Sequence, residues 1–190
     1  MLYGDEEIIR RRVAAQAKKR HVISNEVEIG GVKYAFARRE FELGFSMVVP
    51  ALFEEMSSEA AGQLFPHEGR PKLIISSNDF TVCIAFNSGD MQDESIKERV
   101  SAFGAYIKKL NPSNVFFTQG VYDLWSDMRV GYYDYRYPAI DEDLYNFTFV
   151  TDLPDMELLG WFICPVDLQE KWEPLIRQMV QTIEIVEKGE

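Results

Sequence analysis

The sequence predicts a layered α+β fold in which a largely antiparallel sheet is covered by amphipathic helices. Apolar and polar side chains alternate in many short segments, which is typical of half-buried strands. Turn residues join most of these segments directly, so neighbouring strands are expected to run antiparallel. Three further segments carry apolar residues at helical spacing, and these helices must bury their stripes against the sheet.

Residues 5–20 are predicted to form a basic N-terminal helix, with Asp5 as its cap. Its apolar stripe is weak, which favours a solvated helix lying loosely on the body, and a docking arm for an anionic partner is the alternative. The residues of this predicted arm are Arg10, Arg11, Arg12, Lys18, Lys19 and Arg20. We expect residues 1–30, the helix and a linker or short strand, to precede a single sandwich domain at 31–190.

The segment after the Gly30-Gly31 turn predicts a hairpin or a bulged strand, followed by a helix. Apolar residues alternate along much of Val32–Val49, and Pro50 ends that pattern. Between Leu52 and Leu64 the apolar residues follow helical spacing instead. This helix is the first expected cover of the sheet.

The middle of the chain predicts a hairpin, a helix and a strand. The hairpin covers residues 73–86, with Ser77-Asn78-Asp79 as its turn. Asp93 is predicted to cap a helix whose apolar stripe runs from Ile96 to Leu110. A strand is expected from Val115 to Tyr122.

The C-terminal third predicts an antiparallel meander with a helix packed on it. Alternation at residues 133–137 and 145–149 indicates two strands, joined by the acidic turn Asp141-Glu142-Asp143. The fully apolar run Leu158–Cys164 is typical of a strand covered on both faces. The stripe of the closing helix is Trp172, Ile176, Met179 and Ile183.

Aromatic residues provide the candidate binding surface on the predicted sandwich domain. Tyr133, Tyr135 and Tyr137 crowd one predicted hairpin, and Trp125 lies just upstream. Core packing accounts for most such residues, but tyrosines on an exposed sheet face make good binding anchors. We therefore predict that these four residues form an exposed aromatic binding surface.

Catalytic and metal-binding patterns do not stand out in the sequence. The histidines are His21 and His67, and neither has a second ligand at zinc spacing. Cys83 and Cys164 lie in apolar runs, which favours two reduced, buried thiols over a disulfide between neighbouring strands. We expect no enzyme activity, no metal site and no cofactor.

The charge distribution constrains the partners. The net charge is -11, and only the first 20 residues, with six bases and three acids, are basic. An acidic body repels phosphate backbones, so we expect another protein as the partner and no nucleic acid on the body. No apolar run approaches the roughly 20 residues that span a bilayer and no signal peptide is evident, so we expect no stable membrane insertion and a cytoplasmic location. A monomer or weak homodimer is expected.

Four segments have a familiar pattern: Gly44–Pro50 with the Phe-Glu-Glu-Met sequence after it, Arg70–Ile75, Tyr145–Phe149, and Trp161–Pro165 with the helix of Trp172. Together they resemble the PsbP-like superfamily, and in particular its uncharacterised bacterial members. The resemblance covers roughly residues 40–185. It implies an α-β-α sandwich and a non-enzymatic binding or adaptor role, and no binding residue is carried over from it.

The leading functional hypothesis is a cytoplasmic protein-binding module, serving as an adaptor or chaperone. The alternatives are an immunity-type inhibitor of a basic toxin and a carrier of a small ligand between sheet and helix. An enzyme would need a cleft with convergent polar groups and perturbed carboxylates.

Overall fold

The computed structural model describes residues 26–66, 69–126 and 128–186 of the chain. The predicted N-terminal helix with its six basic residues lies outside these ranges. Within them, no helix is both long and apolar enough to cross a membrane.

The described residues form three sheets and three α-helices. The strands are β1 Val27–Ile29, β2 Val32–Tyr34, β3 Phe36–Phe41, β4 Phe45–Pro50, β5 Glu54–Glu55, β6 Leu73–Ser76, β7 Cys83–Gly89, β8 Val115–Asp123, β9 Arg129–Pro138, β10 Asp143–Leu153, β11 Met156–Pro165 and β12 Glu184–Ile185. The helices are α1 Ser58–Leu64, α2 Ile96–Leu110 and α3 Gln169–Gln181, and a 3-10 turn, Val166–Leu168, precedes α3.

The largest sheet has seven strands in the order β5-β6-β7-β11-β10-β9-β8, and every neighbouring pair is antiparallel. A second sheet has the order β12-β4-β3, and β1 pairs with β2 as a separate hairpin. The predicted antiparallel α+β class is therefore confirmed for the described part of the chain.

One face of the large sheet carries the main core. Helix α3 and the small sheet cover it, and the stripe Trp172, Ile176, Met179 and Ile183 is fully buried there, as predicted. The Trp172 ring packs edge-on against Tyr34 at 4.9 Å between centroids and lies 5.3 Å from Phe162. Gly160 on β11 lies against the ring of Phe149, which leaves no space for a Cβ at this position.

The opposite face carries two smaller cores. Helix α2 covers Tyr133, Tyr135 and Val150, and the residues near α1 form a separate cluster around Ile74 and Ala85.

The two cysteines lie on opposite faces of the large sheet, because Cys83 belongs to the cluster near α1 and Cys164 to the main core. Both thiols are free and buried, and burial raises the pKa of Cys83 to about 12.

Two predicted boundaries differ from the structure. The helix expected from Leu52 is wrong in its first half, because Glu54–Glu55 pairs with β6 and the helix starts only after the Ser57 cap. The division expected at residue 30 falls inside the β1-β2 hairpin, whose turn uses positive φ at Gly30 and Gly31. Because Ile29 is buried in the main core, residues 27–29 belong to the sandwich.

The cap predicted for α2 is also wrong, by two residues. Ser95 rather than Asp93 caps the helix, because Ser95 Oγ accepts a hydrogen bond from Glu98 N while Glu98 Oε2 accepts one from Ser95 N at 3.0 Å. These two bonds form a capping box. The hydrogen bonds that Ser95 donates to the Glu98 carboxylate, from Oγ and next from its backbone N, lower the pKa of Glu98.

We expect Ser95→Ala to lower the free energy of unfolding by about 1 kcal/mol, because it leaves helix N–H groups without an acceptor. Urea unfolding of the wild type, Ser95→Ala and Asp93→Ala measures this effect. A larger loss in Asp93→Ala than in Ser95→Ala would contradict the assignment of the cap.

Candidate functional site

The tyrosines predicted to form an exposed surface lie mainly in the interior. Tyr133 is 4% exposed and Tyr135 is 8% exposed, because α2 packs over this face of β9. Their rings stack 6.0 Å apart, and Phe116 of β8 stacks on Tyr135 at 5.1 Å. Burial raises the pKa of both tyrosines, so the phenols stay protonated. The predicted exposure is therefore wrong for these two residues.

The other two predicted binding residues are separated by the sheet. Tyr137 is half-buried and continues the tyrosine stack, 5.8 Å from Tyr135. Trp125 is half-buried at the end of α3, on the opposite side, where its backbone N–H donates to Gln181 O at 3.3 Å. The structure does not bring the four residues together, and their role in binding remains a prediction.

The longest unpaired sheet edge in the described part of the chain is β8. It has nine residues and ends the seven-stranded sheet, whereas the opposite end is the two-residue acidic strand β5. Val115 and Phe117 on β8 are 42% and 45% exposed, and the strand has no charged residue before Asp123. Proteins usually protect sheet edges by short strands or charges, and β5 fits that rule while β8 departs from it.

A groove lies beside this edge, between β8 and α2. Its volume is about 600 Å³. The helix lines it with Ser101, Gly104, Ala105 and Lys108, and the strand with Val115, Phe116 and Gln119. Three of these four helix residues, Ser101, Gly104 and Ala105, have small side chains or none. A second polypeptide can therefore approach the helix closely on this flank.

A β-bulge shapes the edge at its centre. The register between β8 and β9 shifts between Phe116 and Gln119. At the bulge, Thr118 donates to Asp134 Oδ1 from its backbone N at 2.7 Å and from its Oγ1 at 2.6 Å. Asp134 is 1% exposed, and Tyr145 donates to its Oδ2 at 2.9 Å. Bulges are frequent at binding and active sites because they redirect side chains.

An arginine compensates the buried charge at the bulge. Arg177 Nη2 lies 3.6 Å from Asp134 Oδ2, and Arg177 Nε donates to Glu173 at 3.0 Å. The guanidinium also stacks over the rings of Tyr132 and Phe147, at 4.5 and 5.0 Å from their centroids. Burial, and next the charge of Asp134, raise the pKa of Tyr145, so this phenol remains a proton donor. The bulge is therefore held by a compensated polar network.

In the described residues, no group of three or more His, Cys, Asp or Glu side chains is placed to hold a metal ion.

The edge β8 was predicted as a strand, but its position at the end of the sheet was not predicted. The uncharged run at residues 115–122 does not reveal that position, because residues 144–151 and 158–165 of the central strands β10 and β11 are uncharged as well.

Comparison with solved structures supports the fold. The solution structure of cyanobacterial PsbP (CyanoP) from Synechocystis sp. PCC 6803 matches 84% of this chain and 97% of its own, with 8% identity and a TM-score of 0.60. The crystal structure of LpqN, involved in cell envelope biogenesis of Mycobacterium tuberculosis, matches 86% of this chain and 90% of its own, with 11% identity and a TM-score of 0.53. No family model and no curated protein matches the chain. The described part of the chain thus has the PsbP-like fold, an α+β sandwich with mostly antiparallel sheets.

Proposed function

We propose that the protein is a non-enzymatic binding module that holds an extended segment of a partner protein along β8. The observation that supports this most is the uncharged nine-residue edge with exposed Val115 and Phe117 beside an open groove. An edge strand presents unpaired N–H and C=O groups, and an added strand satisfies them.

Strand addition also explains the groove. Successive side chains of an added strand point to opposite faces of the sheet, so every second one would face α2. The small residues Ser101, Gly104 and Ala105 leave space for those side chains. The bulge divides the edge, because the N–H of Thr118 is already bonded to Asp134. Pairing would therefore take place on either side of Thr118.

The groove favours an apolar, alternating segment over a charged one. Its lining contains one charged residue, Lys108, and the Nζ of that residue already donates to backbone carbonyls of Pro112 and Asn114. Residues 21–190 are acidic, with 28 acids and 14 bases, which favours a neutral or basic partner on approach. We therefore propose an extended segment with apolar residues at alternate positions.

The absence of catalysis is part of the proposal. Cys83 and Cys164 are buried, and burial raises the pKa of both thiols, which makes them poor nucleophiles.

Two buried free cysteines also favour the reducing cytoplasm as the proposed location. Fractionation of cells that produce the full chain tests this location, and recovery outside the cytoplasm would overturn it.

Selection of peptides tests the binding function without knowledge of the natural partner. Random twelve-residue peptides displayed on phage are selected on the immobilised full chain, and the affinity of the enriched peptides is measured by calorimetry. We expect enriched peptides with alternating apolar residues, because such a sequence pairs with β8 and fills the groove. Enrichment of no peptide, or of peptides that bind Phe117→Lys as tightly as the wild type, would contradict the proposal.

A bulky side chain in the groove provides the corresponding test on the protein. Ala105 and Ala102 are both exposed residues of α2, but only Ala105 lines the groove. We expect Ala105→Trp to weaken the selected peptide by about tenfold or more, because the indole occupies space the peptide needs. Ala102→Trp is the matched control and should bind like the wild type. Equal affinity of both variants would exclude the groove as the binding site.

A further inference from the structure

The turn between β6 and β7 presents an aromatic side chain in an unusual way. Phe80 has φ of 58°, the only positive φ of a non-glycine residue in the described ranges, and its side chain is 46% exposed. A left-handed backbone is unfavourable for a bulky residue and favours Gly, Asn or Asp. Phe80 belongs to none of the core clusters of the described residues, so the structure maintains this backbone without a core contact that requires it.

The turn is held rigidly by its own hydrogen bonds. Ser77 Oγ donates to Asp79 Oδ1 at 2.6 Å, and Thr81 N donates to the same oxygen at 3.1 Å. Ser77 N and Phe80 N donate to backbone carbonyls across the turn, each at 2.9 Å. The backbone that carries Phe80 is therefore held in one conformation, which reduces the entropy cost of using this residue in binding.

Two shallow cavities flank the turn and share Ser77 and Asn78. One, of about 250 Å³, is lined by Val32, Leu52 and Asp79 among others. The other, of about 400 Å³, is lined by Glu54, Glu55 and Phe80. Val32 and Leu52 are 46% and 57% exposed, so exposed apolar groups lie close to carboxylates on this surface.

The charges at this surface are mostly negative. Among the described residues, Glu55 lies 3.8 Å from Arg39, while Glu54 and Asp79 form no ion pair. The hydrogen bond from Ser77 Oγ, and next the one from Thr81 N, lower the pKa of Asp79, which therefore remains ionised at neutral pH. Apolar groups rimmed by carboxylates complement an apolar side chain flanked by Lys or Arg.

We infer that the Phe80 turn, with Val32, Leu52, Glu54 and Asp79, is a second docking surface, and that it binds a partner segment in which basic and apolar residues alternate. This surface lies near β5, at the end of the large sheet opposite to β8. It is independent of strand addition at β8. A protein with both surfaces can hold two partners at once, which is what an adaptor does.

Three synthetic hexapeptides separate specific docking from attraction to the acidic body. The first alternates arginine with leucine, the second alternates arginine with glycine, and the third alternates glutamate with leucine. We expect the first to bind at least about tenfold more tightly than the other two at physiological salt, because it alone supplies both contacts. Equal binding of the two arginine peptides would overturn the inference, and so would binding of the glutamate peptide with the affinity of the first.

Phe80→Asn tests whether the turn is the site. Asn tolerates the left-handed backbone, so the substitution should leave Tm unchanged or raise it by about 2–4 °C. We expect Phe80→Asn to bind the arginine-leucine peptide only as tightly as the wild type binds the arginine-glycine peptide. The control is Met91→Asn, which replaces an apolar residue that is 49% exposed elsewhere on the surface. This variant should bind the arginine-leucine peptide like the wild type. Unchanged affinity in Phe80→Asn, or a fall of both affinity and Tm, would overturn the inference.

Discussion

Replacing Glu157 by Ala is expected to lower the free energy of unfolding by about 3 kcal/mol or more. Arg99 of α2 bonds to Glu157 through Nη1 and to Asp152 through Nη2, the latter at 2.7 Å, and only 5% of the Arg99 side chain is exposed. Removal of Glu157 leaves a buried guanidinium with one partner, and a buried charge without compensation is costly. Chemical denaturation monitored by tryptophan fluorescence measures the loss.

A surface pair and a double substitution make this result specific. Asp123 and Arg129 are 3.8 Å apart and both mostly exposed, so Asp123→Ala should cost less than about 1 kcal/mol. The double variant Arg99→Met/Glu157→Leu should recover much of the loss, because it removes the buried charge as well as its partner. A loss in Glu157→Ala no larger than that in Asp123→Ala would contradict the assigned role of this ion pair.

Replacing Trp172 by Ala is expected to cost about 3–5 kcal/mol, because it leaves a large cavity in the main core. Trp172 is fully buried and packs against Tyr34, Phe53 and Phe162. It connects α3, the β1-β2 hairpin and the large sheet, so its loss should lower Tm of the whole domain in one transition. Differential scanning calorimetry measures both the size and the cooperativity of the change.

Trp172→Phe is the control for the cavity effect. The indole Nε1 has no hydrogen-bond partner among the described residues, so a phenyl ring loses packing area but no hydrogen bond. We expect a much smaller loss than for Ala. Equal losses in the two variants would show that packing of the ring is not what stabilises this contact.

Local patterns predicted most of the strands and helices, because burial on one face imposes its period on the sequence. The stripe of α3 corresponds to a helix with one buried face, whereas residues 145–149 of β10 are buried on both faces. Their alternation arises because Asn146 and Thr148 are buried on the face of Tyr133 and the aromatic residues on the main-core face. The wrong cap of α2 has a local cause too. Asp93 and Ser95 are both good caps, and only Ser95 stands three residues before a glutamate that completes the capping box.

Order within the sheet could not be read from local patterns. Tyr133 and Tyr135 alternate in the same way whether their face meets solvent or a helix, and the structure places α2 over it. The edge position of β8 likewise depends on which strands pair across the sheet. The proposed binding edge depends on the order of the strands in the sheet. The local pattern at residues 115–122 could therefore predict a strand, but not that this strand lies at the edge.

The binding edge is the central claim, and mapping of a bound peptide tests it most directly. The full chain labelled with nitrogen-15 is titrated with a selected peptide, and backbone amide shifts are followed by NMR. We predict that the largest changes fall in β8 and along Ser101–Lys108 of α2, with amides of β8 gaining protection from hydrogen exchange. Saturated binding with unchanged β8 amides would contradict the claim that this edge holds the partner.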